Sequence, residues 1–153
     1  PLYWAAGFLW RWTQMFYSTI DISQTQWSDF TFQAEGEPKI NPLDGRPHGQ
    51  NRIDDTWAFK TGTEYLFTTR SSEIPVRAGF AYEERPALGR PDIFYSISAG
   101  SGLPIGKAQN RMFVDFAYIY SWANNVRGIV PSQSALSSDV SEHQGYVSVI
   151  KHF

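Results

Sequence analysis

Four charged side chains lie in segments otherwise rich in aromatic and small residues: Lys60, Glu64, Arg77 and Asp115. Lys60 and Glu64 share one face of an extended chain, because side chains alternate faces with a period of two. If Thr68 to Glu73 form a turn, Glu64 meets Arg77 and Tyr65 meets Val76 on matching faces, so turn length and pattern agree. Asp115 falls on the polar face of a later strand. Such a set could line a polar constriction, or hold a carboxylate head group through Arg77 or Lys60. It could equally be a cross-strand charge ladder that satisfies a polar interior. The ladder is favoured, since buried charges are usually paired with one another.

Other reactive residue types are poorly placed for catalysis. His48, His143 and His152 are scattered and show no metal-ligand spacing. Ser141 and His143 share one side of a strand, but a hydrolase also needs an orienting Asn or Asp in contact. Gly100-Ser-Gly102 with Gly106 has the wrong spacing for a dinucleotide fingerprint, and no helix follows. It fits the end of a strand and its turn. Asp44, Asp54 and Asp55 could bind calcium in a long loop, though acidic loop residues are usually just solvated. Cysteine is absent, which removes disulfides, thiolate metal sites and thiol nucleophiles. The chain is read as a non-enzyme without cofactor or metal.

The elements that must position these residues are strands. About seven candidates and no convincing helix emerge from the pattern. Trp4, Ala6, Phe8, Trp10 and Trp12 alternate with Ala5, Gly7, Leu9 and Arg11; Phe16, Ser18, Ile20 and Ile22 alternate with Tyr17, Thr19, Asp21 and Ser23. A stretch from Ser28 to Asp54, punctuated by Pro38, Pro42, Pro47, Gly36, Gly45 and Gly49, argues against a regular element. The hairpin Thr56 to Tyr82 follows, then a loop over Glu83 to Asp92, a strand around Ile93 to Gly100, and a turn over Leu103 to Asn110. Met112 to Trp122, a loop over Ala123 to Asp139, and Val140 to Phe153 complete the chain.

Each strand presents an aromatic and aliphatic face opposite a face of small residues and charges, the pattern of a membrane β-barrel strand. Charged residues are 18% and aromatics 16% of the 153 residues, and the net charge of −2 suggests no nucleic-acid partner. Mean hydropathy is −0.36, a value that alternating strands produce by averaging. No apolar run is long enough for a membrane helix. Connections alternate short, long, short, medium, short, long, the asymmetry of barrels with short periplasmic turns and longer extracellular loops. On that placement Trp4, Trp57, Tyr82 and Trp122 form an outer aromatic girdle. Trp12, Phe16, Phe67 and Phe153 form an inner one, with Phe8, Ile20, Phe80, Ile97, Val114 and Phe116 between. The chain starts at Pro1 inside a strand-like stretch and is read as part of a longer protein.

Trp27-Ser-Asp-Phe30 after a strand containing Asp21, Gly62-Thr-Glu-Tyr65, and Val76-Arg-Ala-Gly-Phe-Ala-Tyr82 carry a resemblance, as do Ser98-Ala-Gly-Ser-Gly102, Val114-Asp-Phe-Ala-Tyr118 and the terminal Phe153. In order and spacing they resemble the C-terminal half of FadL-type outer-membrane channels for long-chain fatty acids and other hydrophobic compounds. Lys151 departs from the family pattern, where an outward apolar residue is commoner; near an interface it could snorkel.

The resemblance implies an all-β, antiparallel transmembrane β-barrel, with residues 1–153 as half of a 14-stranded barrel lacking its N-terminal plug and strands. It implies residence in the bacterial outer membrane, with membrane lipid, a hydrophobic small-molecule substrate and the rest of the barrel as partners. Lys60, Glu64, Arg77 and Asp115 would then line the substrate path. The implied function is passive transport of hydrophobic molecules such as fatty acids or aromatic hydrocarbons. A general porin or adhesin-like barrel, or a soluble lipocalin-like barrel with its faces inverted, are the alternatives.

Overall fold

Alternating apolar and polar residues give each strand two unlike faces, and antiparallel pairing in register keeps like faces together. The chain realises this as a single antiparallel sheet of seven strands, in sequence order throughout. The computed structural model describes residues 1–69, 72–106, 112–129 and 137–151. The strands are β1 (Leu2–Arg11), β2 (Phe16–Gln26), β3 (Thr56–Thr68), β4 (Glu73–Arg85), β5 (Asp92–Ile105), β6 (Met112–Val126) and β7 (Ser138–Lys151). Among the described residues there is no helix. Among the described residues the sheet is not closed: β1 pairs with β2 alone, and β7 with β6 alone.

The central hairpin has the expected register, with Glu64 opposite Arg77 and Tyr65 opposite Val76. Several boundaries differ from the sequence reading. β1 stops at Arg11, so Trp12 belongs to the hairpin turn, where Thr13 Oγ1 accepts from the backbone N–H of Met15 and Phe16. β4 continues through Glu83, Glu84 and Arg85, which were expected in a loop. Glu83 finds an opposite charge on the neighbouring β3, Arg85 one on β7, and Glu84 accepts from the Trp57 amide, so these polar side chains have partners within the sheet. The β4–β5 loop shrinks to residues 86–91 and is no longer than the 106–111 connection. The short-versus-long asymmetry therefore rests on the β2–β3 and β6–β7 loops.

Two faces run across all seven strands. On one lie Trp4, Phe8, Ile20, Trp57, Phe59, Phe80, Tyr95, Ile97, Phe116, Tyr118 and Val147, all exposed. Phe8 is 78% and Val147 73% exposed. The other face is small and polar: Gly7, Asp21, Lys60, Gly62, Gly79, Ser98, Gly100 and Ala117 occupy its middle. A space of about 520 Å³ lies against it, bordered by residues from β2 to β7. A single-layer sheet borders such a space only by curling toward it, so the polar face is concave and the apolar face convex.

Among the described residues, most buried residues cluster at the long-loop end, while Pro75 and Gly102 are buried nearer the short turns. Ile53, Ala87, Phe94 and Ala123 are buried there, with Asn41, Thr56 and Asp92 among the buried polar residues. Three loops meet at this rim. Ile53 bridges to Gly89, the Gly89 amide donates to Arg52 O (2.7 Å), and the Leu88 amide donates to Gly128 O (3.1 Å). The stretch over residues 27–55 is irregular, as its Pro and Gly content requires, but it is tied down. Asn41 is fully buried, donates to Trp27 O (2.8 Å) and accepts from the Leu43 amide (2.9 Å).

Candidate functional site

The concave face gathers all four charged residues named from the sequence. Its floor is built by register: Tyr17 opposes Glu64, Glu64 opposes Arg77, Arg77 opposes Gly100, and Gly102 opposes Asp115. Arg77 Nε bonds Glu64 directly, and Glu64 also accepts the Tyr17 hydroxyl. The Arg77 guanidinium then passes over β5 to Asp115, Nη1 to Oδ1 2.9 Å. The result is one polar chain, Tyr17–Glu64–Arg77–Asp115, crossing the concave face from β2 to β6.

Glycine makes that crossing possible. A Cβ on Gly100 would stand 2.9 Å from the carbonyl oxygen of Phe116. One on Gly102 would stand 2.5 Å from Asp115 Oδ1 and 3.2 Å from the Pro75 ring. A side chain at Gly102 would intrude on the Asp115 carboxylate that the guanidinium bonds, and one at Gly100 would press on the backbone of β6.

Lys60 is arranged differently. It pairs with Glu83, Nζ to Oε1 3.1 Å, a diagonal contact, because Glu83 stands opposite Ala58 rather than Lys60. Its register partner on the other side is Asp21. Toward the long-loop rim, Arg85 lies over the Phe94 ring at 3.6 Å and approaches Glu142 at 3.4 Å across two intervening strands. Ser96 and Ser121 share a buried hydrogen bond of 2.8 Å.

The four charged residues thus share one face but form two separate pairings, with Lys60 outside the Arg77 cluster. The arrangement is the charge ladder, not a free cation awaiting an anion. Sequence reading missed Tyr17, Asp21, Glu83 and Arg85 as members of the site. For Tyr17 and Asp21 a signal was present: once β2 is set against β3 with Phe16 opposite Tyr65, both fall beside charged residues of the same face.

The expected girdle residues lie on the convex face. At the long-loop end Trp4 meets Trp57 edge-on at 5.5 Å, Tyr82 meets Tyr95 at 5.7 Å, and Tyr95 stacks on Trp122 at 5.8 Å. Their polar tips are satisfied at the rim: Trp4 Nε1 donates to Gln24 (2.8 Å) and the Tyr82 hydroxyl to Glu84 (2.7 Å). At the short-turn end Tyr65 packs on Phe67 at 4.7 Å. Trp12 joins Trp10 at 6.1 Å and donates to Ser18 Oγ (2.8 Å), so it stays with the convex face although it lies beyond the strand. Phe153 and His152 lie outside the described residues.

The remaining candidates resolve into structural roles. Ser141 and His143 are on the convex face, and His143 Nδ1 lies 2.6 Å from the Tyr118 hydroxyl with its ring against Tyr120. Asp44 accepts from the amides of Arg46 (3.1 Å) and Arg52 (2.7 Å), and Asp55 from Ser28. These carboxylates hold the long loop together. Among the described residues no group of three or more His, Asp or Glu side chains could hold a metal ion.

No protein-family model matches the chain, and neither does any curated protein or solved structure.

Proposed function

We propose that this chain forms part of an outer-membrane β-barrel that lets hydrophobic molecules cross passively. The observation that carries the proposal is the division of faces. A convex surface with exposed Phe8, Ile20, Phe80, Ile97, Phe116 and Val147 runs between two aromatic rims, opposite a concave surface of glycine, small polar and charged residues. In water such an apolar surface would be an association hazard; in a bilayer it meets lipid tails, with Trp and Tyr at the interfaces. A lipocalin-like soluble barrel needs the reverse, with the apolar face inward.

The open edges bear on the same proposal. In lipid, unpaired backbone groups on β1 and β7 would each cost several kcal/mol, so further strands complete the sheet. Seven antiparallel strands leave β1 and β7 running in the same direction. An antiparallel closure therefore takes an odd number of additional strands. A second copy of this segment in the same membrane orientation does not suffice, because each seam would be parallel. The strands are 10 to 15 residues long, enough for tilted spans.

The test is twofold. The full-length protein is expected in the outer-membrane fraction, with fluorescence of its convex-face tryptophans quenched by lipids brominated in their acyl chains. Cells carrying it should take up a labelled hydrophobic compound faster than cells without it. Recovery as a soluble, detergent-independent monomer defeats the membrane reading. Membrane insertion with passage of hydrophilic solutes alone makes it a general porin.

A further inference from the structure

Resting on that channel reading, we infer that the concave face selects against organic anions, so that its solutes are uncharged or cationic hydrophobic molecules, with Glu64 and Asp115 setting that preference by neutralising Arg77. Among the described residues, both cations at the centre of the face are paired. Arg77 lies between Glu64 and Asp115, the latter at 2.9 Å, and Lys60 is bonded to Glu83 at 3.1 Å. Among the described residues that border the space of about 520 Å³, carboxylates also outnumber cations: Asp21, Glu64 and Asp115 against Lys60 and Arg77. A second space of about 550 Å³, toward the short-turn end, is bordered among the described residues by Glu64, Glu73 and Asp115 against Arg77. Glu64, Arg77 and Asp115 border both spaces. Anything moving along the concave face passes this bar.

An anionic head group needs a donor at that point. The Arg77 N–H groups that these bonds leave over lie beside both carboxylates, so an anion that approaches them meets two negative charges along with the one cation, a net repulsion. An uncharged solute meets no such repulsion: its apolar body can lie along the small-residue floor at Gly62 and Gly79, against Ile119 and Tyr146. A cationic group meets a surplus of negative charge, including Asp21, which has no ion pair or hydrogen bond among the described residues.

The test uses cells displaying the full-length protein and matched cells lacking it, with three probes on one pyrene-alkyl chain ending in an amide, a trimethylammonium or a sulfonate. Protein-dependent uptake of the amide and ammonium probes is expected to exceed that of the sulfonate by about tenfold, the order expected for one uncompensated charge at close range. Glu64→Gln and Asp115→Asn, each nearly isosteric, should raise sulfonate uptake relative to amide several-fold by removing one of the two negative charges beside Arg77. If either variant fails to reach the membrane, the other and the wild-type ratio still decide. Equal uptake of sulfonate and amide by the wild type leaves the channel reading standing and overturns this inference. A preference that neither variant moves overturns the assignment to Glu64 and Asp115. Uptake of no probe defeats the channel reading itself, and the inference with it.

Discussion

Arg77 and Asp115 are bonded at 2.9 Å although they belong to β4 and β6, with the whole of β5 between them. Their contact depends on the side chain that β5 lacks at Gly102, where a Cβ would stand 2.5 Å from Asp115 Oδ1; Gly100, opposite Arg77, keeps the floor beside it low. Side chains on one face of a sheet normally meet across adjacent strands. A bond that skips a strand requires a low floor beneath it, and a sheet curled toward that side shortens the span.

Gly100→Ala is therefore expected to destabilise the protein by about 1–3 kcal/mol, because its new Cβ meets the backbone oxygen of Phe116, which cannot move aside without bending β6. Gly145→Ala is the control: nothing lies within 4 Å of its added Cβ, so its effect should stay within about 0.5 kcal/mol. Urea unfolding of the two variants in lipid vesicles measures the difference. Equal midpoints would show that the glycine floor has no steric role.

Removing Arg77 should cost more than removing either of its partners. Arg77→Met leaves Glu64 and Asp115 facing each other across the concave surface without the cation between them, whereas Asp115→Asn leaves the Glu64 bond intact. Because the Arg77 side chain is 44% exposed, the Glu64–Arg77 coupling in a double-mutant cycle is expected near 1 kcal/mol rather than the larger values of dry pairs. A coupling of zero would mean that the two residues are neighbours without being partners.

On the convex face, Phe116→Arg should lower stability in a bilayer by about 2–4 kcal/mol if that residue sits near the midplane. Ala117→Arg, the next residue but on the concave face, should cost clearly less because its charge stays in a polar space. Unfolding in vesicles checks the pair. The opposite order would mean that the apolar face packs against protein instead of lipid.

The rim loops supply a prediction independent of the membrane. Asn41→Ala deletes a buried side chain that bonds both Trp27 O and the Leu43 amide. Leaving the Leu43 amide unpaired, and Trp27 O with the Phe30 amide at 3.1 Å as its remaining donor, should cost about 1–3 kcal/mol, felt locally. Limited proteolysis should then cut within residues 27–55 at lower protease concentrations than in the wild type, while the strands stay protected. An unchanged cleavage pattern would show that Asn41 does not hold the loop.

Period-two alternation determined which face nearly every strand residue occupies, and turn length determined the register of the central hairpin, Glu64 against Arg77. Both are local properties. A strand has only two faces, and a short turn permits few registers. The same local information placed Trp4, Trp57, Tyr82 and Trp122 together at one rim.

Tertiary structure alone decided the rest. Alternation says nothing about curvature, so the bond from Arg77 over β5 to Asp115 and the approach of Arg85 to Glu142 could not be read from spacing. Lys60 joined Glu83 because that charge lies on a part of β4 that the sequence reading assigned to a loop. Asn41, Ile53 and Asp92 acquired their roles only when three loops distant in sequence converged on one rim. Periodicity fixes the direction of a side chain; its partner is chosen by whatever the fold brings within reach.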